Sequence, residues 1–145
     1  MLTGEYRNTL DEKGRILFPA KLRAEIEGNV LFITQGIDGC LWLFSPEEWN
    51  KLSEKIMENA SIFNAHSRSV LRRLVAPSQE VEFDKAGRIM IPQSLREYSE
   101  IKRDCVILGV NKYMELWDAD KYSEYLANSA AEFENSTEEL SGICF

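Results

Sequence analysis

The chain of 145 residues is short of the residue types from which most metal and catalytic centres are built: it has one histidine and three cysteines. Cys40, Cys105 and Cys144 are odd in number, widely separated and free of any CxxC pair, which argues against a disulfide framework. With His66 as the sole imidazole and the cysteines widely spaced, a zinc site is not expected, nor is another cofactor. Cys40 and Cys105 stand in apolar stretches and read as small buried residues. His66, in the polar run "NAHSRS", reads as a surface residue. There is no nucleotide-binding glycine loop and no Ser/His or Cys/His arrangement, and the carboxylates are scattered, so an enzyme with a small-molecule substrate is not expected. Long hydrophobic runs are missing as well. None approaches the roughly 18–20 residues that cross a bilayer, and the start "MLTGEYRN" is too polar for a signal peptide. A cytoplasmic protein without a membrane partner is the expectation.

What is present is a chain of one ordinary domain, or two small ones, whose 44% apolar content supports a core. Its formal charge of −7 speaks at first against a nucleic-acid ligand. The distribution reverses that reading. Residues 118–145 carry seven acids against Lys121, whereas residues 5–23 and residues 84–103 each carry five bases against three acids.

Each basic segment holds one copy of a repeated phrase. "DEKGRILFPAKLR", Asp11 to Arg23, returns as "DKAGRIMIPQSLR", Asp84 to Arg96, with seven of thirteen positions identical at a constant offset of 73. The same offset aligns "NVLFITQGIDGCLWLFSPEEWNKL" with "KRDCVILGVNKYMELWDADKYSEYL" to within a residue at the start, placing Gly36 on Gly109, Leu43 on Leu116, Phe44 on Trp117 and Trp49 on Tyr122. A supersecondary unit of about 45 residues has been duplicated.

Each unit reads alike. A first strand near "EYRNTL" or "QEVEF" enters the turn "DEKG" or "DKAG", whose Asp at the first position and Gly at the fourth suit a type I turn. Short strands "RILF" and "RIMI" follow, and Pro19 and Pro92 suit the first turn of a short helix. Strands "VLFITQ" and "CVILGV" then pair, through turns at "IDG" and "NKY", with "CLWLF" and "MELW". In "SPEEWNKL", Ser45, Pro46 and Glu48 spell a capping box for a closing helix on which Trp49, Leu52 and Ile56 face one side, as do Tyr122, Tyr125 and Leu126 in the second copy, with the aromatics read as core rather than as a ligand platform. The boundaries are a first unit with its helix over 5–58, a connecting helix over 59–77, a second unit over 78–127 and an acidic tail over 128–145. In the connecting helix Val70, Leu71, Leu74 and Val75 form the apolar stripe, and Arg68, Arg72 and Arg73 read as a solvated face, the alternative being an auxiliary phosphate contact. The tail reads as a fraying helical extension or a mobile segment.

The turn sets an arginine at the rim of a sheet. A guanidinium is permanently charged, planar and able to donate two parallel hydrogen bonds, which suits phosphate and the guanine edge. Asp11 with Arg15, and Asp84 with Arg88, therefore form positioned pairs, and Lys13, Lys85, Lys21, Arg23 and Arg96 add charge beside them. A single such hairpin would be read as an ordinary solvated turn; two copies keeping Asp, Gly and Arg while their neighbours change favour a ligand. For Arg23 and Arg96 a packing role on a helix face competes with contact to a ligand.

These residues resemble the MraZ family of bacterial proteins, built from two SpoVT/AbrB-type swapped-hairpin units, over nearly the whole chain to about Leu126. The resemblance implies an α+β fold, a β-rich tandem swapped-hairpin (AbrB-like) double barrel of two pseudo-twofold-related units with short helices. It implies a nucleoid-associated transcriptional regulator that binds double-stranded DNA at repeated promoter elements upstream of its own division and cell-wall gene cluster. It also implies a ring-like homo-oligomer, and DNA contacts at Asp11, Arg15, Asp84 and Arg88. The alternative is an antitoxin-like interaction module that grips a partner through its acidic tail, since AbrB-type antitoxins share the DxxGR phrase.

Overall fold

The computed structural model describes residues 1–142; the tail's last residues, Cys144 among them, lie outside the described residues. Along the chain run β1 (Leu2–Thr9), β2 (Arg15–Leu17), α1 (Ala20–Arg23), β3 (Val30–Gln35), β4 (Leu41–Phe44), α2 (Pro46–Asn59) and α3 (Ala65–Val70). A π turn at Leu71–Val75 extends α3, and then come β5 (Gln79–Glu82), β6 (Arg88–Met90), α4 (Gln93–Ser99), β7 (Asp104–Asn111), β8 (Tyr113–Asp118), α5 (Ala119–Asn128) and α6 (Ala130–Glu139).

The strands form an antiparallel six-stranded sheet in the order β1-β7-β8-β4-β3-β5, and β2 pairs with β6 in a separate ribbon. Neither first strand pairs within its own unit's half of the sheet. β1 lies on β7 of the second unit from Leu2↔Asn111 to Thr9↔Asp104, while β5 lies on β3 of the first from Val30↔Glu82 to Ile33↔Gln79. This exchange is the swapped hairpin, and it makes the α+β fold one interleaved body. The register discloses the symmetry: Arg15↔Met90, Ile16↔Ile89 and Leu17↔Arg88 map onto themselves under the 73-residue offset, as do Leu41↔Leu116, Trp42↔Glu115 and Leu43↔Met114. A pseudo-twofold axis therefore passes between Ile16 and Ile89 and between Trp42 and Glu115.

The core is drawn from both units. Ile16, Leu22, Leu31, Leu43, Ile89 and Leu95, all but excluded from solvent, lie in one apolar cluster with Ile107 and Leu116. At roughly 1.5–3 kcal/mol for each such side chain removed from water, this shared cluster outweighs any contact local to one unit. Cys40 and Cys105 are buried and unbridged, and burial pushes the Cys105 thiol up to about 12, so neither is a thiolate nucleophile near neutral pH.

Several local readings shift by a residue or a role. Pro19 and Pro92 occupy the N-cap positions of α1 and α4 rather than the first helical residues, with ψ of 129° and 141°. Ser45 caps α2 by accepting from the Glu48 amide at 3.3 Å, but the Glu48 carboxylate turns to Lys51 at 3.5 Å instead of completing the box. In α3 the helix widens where the buried Thr34 hydroxyl donates to the Leu74 carbonyl at 2.6 Å, and the Ala76 amide reaches back to Leu71. Trp49 is buried as expected; on α5, Tyr122 and Tyr125 both pack on Trp117, yet Tyr125 stays partly exposed and Leu126 is half exposed. The tail continues as a helix, α6, with Phe133 outward. Among the described residues no helix is long and apolar enough to cross a membrane.

Candidate nucleic-acid interface

The turn before β2 is closed by the backbone, with the Gly14 amide donating to the Asp11 carbonyl at 3.0 Å. Gly14 has φ +82° and its counterpart Gly87 φ +83°, the left-handed region that a side chain resists. The Asp11 carboxylate then binds its own turn: Oδ1 accepts from the Lys13 amide at 2.9 Å and the Arg15 amide at 2.8 Å, and Oδ2 accepts from Arg15 Nε at 2.8 Å. The second copy repeats this atom for atom. Asp84 Oδ1 accepts from Ala86 and Arg88 amides, and Oδ2 from Arg88 Nε, all at 2.9 Å. In each copy the arginine's backbone amide, followed by its guanidinium, pulls the aspartate below the usual carboxylate range against some desolvation.

Each pair thus spends one guanidinium donor on orientation and keeps the rest. Among the described residues no acceptor takes the terminal nitrogens of Arg15 or Arg88. Because Ile16 and Ile89 point into the core, the alternation of the strands turns Arg15 and Arg88 to the outer face of the β2–β6 ribbon. The two sit diagonally across the ladder, positions that stand about 7–8 Å apart in an antiparallel pair. Bonds from Phe18 to Gly87 and from Ile91 to Gly14 lengthen the ladder and tie each turn to the opposite strand.

The other basic candidates divide. Lys13 and Lys85 are exposed on the two turns, and Lys21 is exposed on α1. Arg23 donates to the carbonyls of Ile26 at 3.1 Å and Gly28 at 2.9 Å, and its guanidinium lies 4.2 Å from the Phe83 ring centroid, so it staples the units together. Arg96 tucks beneath the first turn, where a Cβ on Gly14 would stand 2.5 Å from its Nη1. For both, the packing alternative describes the geometry. Arg68 donates to the Ile62 carbonyl at 2.9 Å, while Arg72 and Arg73 are exposed. Two residues of the ribbon's outer face went unread in the sequence: Leu17 and Met90, half exposed at 50% and 52%. The signal for them was an apolar residue two places after each arginine on a strand whose intervening isoleucine is the core residue.

Among the described residues no group of side chains is suited to hold a metal. Fold and site together define a class: a tandem swapped-hairpin protein whose dyad-related turns present oriented arginines on a two-stranded ribbon. The family model described as "MraZ protein, putative antitoxin-like" matches this chain twice, over residues 1–73 and 74–144, and the chain belongs to the MraZ family. It is 54% identical to a protein of Treponema denticola over 99% of this chain and 100% of the relative, and 49% identical to one of Treponema pallidum over 98% and 95%. At 34% identity, a protein of Limosilactobacillus fermentum matches over the full length of both. All three carry the name transcriptional regulator MraZ.

Proposed function

We propose that this protein is a sequence-specific DNA-binding transcription regulator that inserts its β2–β6 ribbon into the major groove. The observation that carries the reading is the pair of aspartate-oriented guanidiniums, Arg15 and Arg88, related by the dyad and with terminal nitrogens that no acceptor takes among the described residues. A major groove admits a two-stranded ribbon, and arginine bidentate to guanine is its commonest specific contact. The diagonal spacing of about 7–8 Å matches roughly two base-pair rises of about 3.4 Å. Lys13, Lys85 and Lys21 supply phosphate contacts, and Asp11 and Asp84 act by holding the arginines. The names of the relatives support transcription regulation; the protein's own division and cell-wall gene cluster, read through repeated promoter elements, is the target that the family resemblance implies. A closed homo-oligomeric ring fits repeated elements, since several modest sites engaged at once bind by avidity.

The test is binding to a duplex from the region upstream of the protein's own gene, measured by fluorescence anisotropy. Arg15→Ala and Arg88→Ala are expected to cost about 1–3 kcal/mol each while circular dichroism stays native. Undiminished binding by the folded double variant overturns the assignment. The antitoxin-like reading has one observation in its favour, Phe133 exposed on an acidic helix that packs against α5. It is distinguished by truncation after Ser129, which removes a partner-gripping tail and leaves the ribbon intact.

A further inference from the structure

We infer that Leu17 and Met90 read thymine methyl groups beside the bases addressed by Arg15 and Arg88, an inference that rests on the DNA-binding reading above. The register places Leu17 directly opposite Arg88 and Met90 directly opposite Arg15. Each guanidinium therefore has an apolar side chain as its cross-strand neighbour, and the outer face of the ribbon is a checkerboard of two charges and two hydrophobes. Leu17 Cδ1 reaches toward the second turn, 3.9 Å from where a Gly87 Cβ would lie. Both side chains are about half exposed, 50% and 52%, though Ile16 and Ile89 between them are buried to 1%. The outward apolar pair thus adds nothing to the core cluster and requires another account.

A solvated or phosphate-binding face gains nothing from apolar side chains at its centre, because phosphate and sugar contacts are made by charged and polar groups. Base edges differ: in the major groove thymine shows an apolar group, its C5-methyl, so that a thymine neighbouring a guanine sets a methyl beside the N7 and O6 acceptors that arginine reads. Positive charge flanking the two hydrophobes commits the face to a nucleic acid over an uncharged partner. The same geometry favours thymine-containing DNA over the uracil of RNA, whose deep major groove excludes side chains in any case. The two copies need not be equivalent, for Met is longer and more adaptable than Leu and tolerates a less closely set methyl.

The experiment starts from a randomised duplex library, from which the full-length protein selects its preferred site. Each thymine of that site is then replaced singly by deoxyuridine, which removes the methyl and nothing else. Wild-type protein is expected to lose about fourfold in affinity at one or two positions. Leu17→Ala and Met90→Ala should each bind the thymine and uracil duplexes equally at one of those positions, with native circular dichroism. Silence of every deoxyuridine substitution, together with binding that still depends on Arg15 and Arg88, overturns the apolar readout alone. Failure to enrich any site removes the DNA-binding reading and this inference with it. Should Leu17→Ala or Met90→Ala dissociate the oligomer in sedimentation and weaken both duplexes alike, the face belongs to a second copy of the chain and the inference is wrong.

Discussion

At the scale of single residues, the two DxxGR turns are held by the same carboxylate geometry, yet they rest on different neighbours. Both glycines have φ near +82°, so an alanine at either is strained by about 1–2 kcal/mol. Gly14→Ala must also push Arg96 aside, whereas a Cβ on Gly87 meets only Leu17 at 3.9 Å. Urea denaturation is therefore expected to show both variants destabilised and Gly14→Ala the more so; equal losses would mean that Arg96 yields freely. The carboxylates set a pH dependence of known sign. Asp11 and Asp84 titrate below their ordinary value of 3.8, so their hold on the arginines is complete above it and is lost only as pH falls through the lower folded value. DNA affinity is expected to stay level from about pH 5 to about pH 8 as far as these groups are concerned. A loss centred within that window would assign the arginines' orientation to some other group.

At the scale of elements, the swap makes each unit incomplete. β1 has its eight-residue ladder on β7, and β5 its ladder on β3, so a fragment of residues 1–73 retains β1 without the strand it pairs with. Neither that fragment nor residues 74–145 is expected to be a folded monomer by light scattering and circular dichroism. Mixing the two should restore the native spectrum, and a monomeric folded half would contradict the exchange as the source of stability. Much of this was legible because a duplicated sequence states each strand, turn and cap twice: the offset of 73 located the hairpins, the turn glycines and the positioned Asp-Arg pairs. What escaped depends on contacts between units. That Arg23 lies over Phe83, that Arg96 underpins Gly14 and that β1 starts as early as Leu2 are set by partners about 60 to 110 residues away, beyond any local pattern. Gly109 carries the same lesson: it aligns with Gly36, but it is small because β1 crosses it, and a Cβ would stand 2.6 Å from the Thr3 amide nitrogen. Gly109→Ala should accordingly disrupt the β1–β7 ladder more than any turn substitution, seen as the largest drop in Tm of the three glycine variants.

At the scale of the whole molecule, a chain of net charge −7 has to bind a polyanion, and the separation of its charges is what permits this. The acids after Asn128 sit on α6, whose packing is against α5, whereas the basic residues are gathered around the two turns and the β2–β6 ribbon. Screening shortens electrostatic reach to about 10 Å at 0.1 M salt, so near physiological ionic strength the local lysines and arginines decide the interaction. Phosphate contacts and base contacts then separate in one measurement. Each phosphate neutralised contributes about −0.9 to the slope of log K against log salt, whereas a guanidinium seated on a base edge contributes to discrimination between sequences. Lys13→Ala and Lys85→Ala are expected to reduce the slope by about 1 each and to weaken all duplexes alike. Arg15→Ala and Arg88→Ala are expected to compress the difference between the selected site and a scrambled one, with a smaller change in slope. The opposite pattern, with the arginines governing the salt slope and specificity intact, would make the oriented pairs phosphate clamps and move sequence readout away from the ribbon.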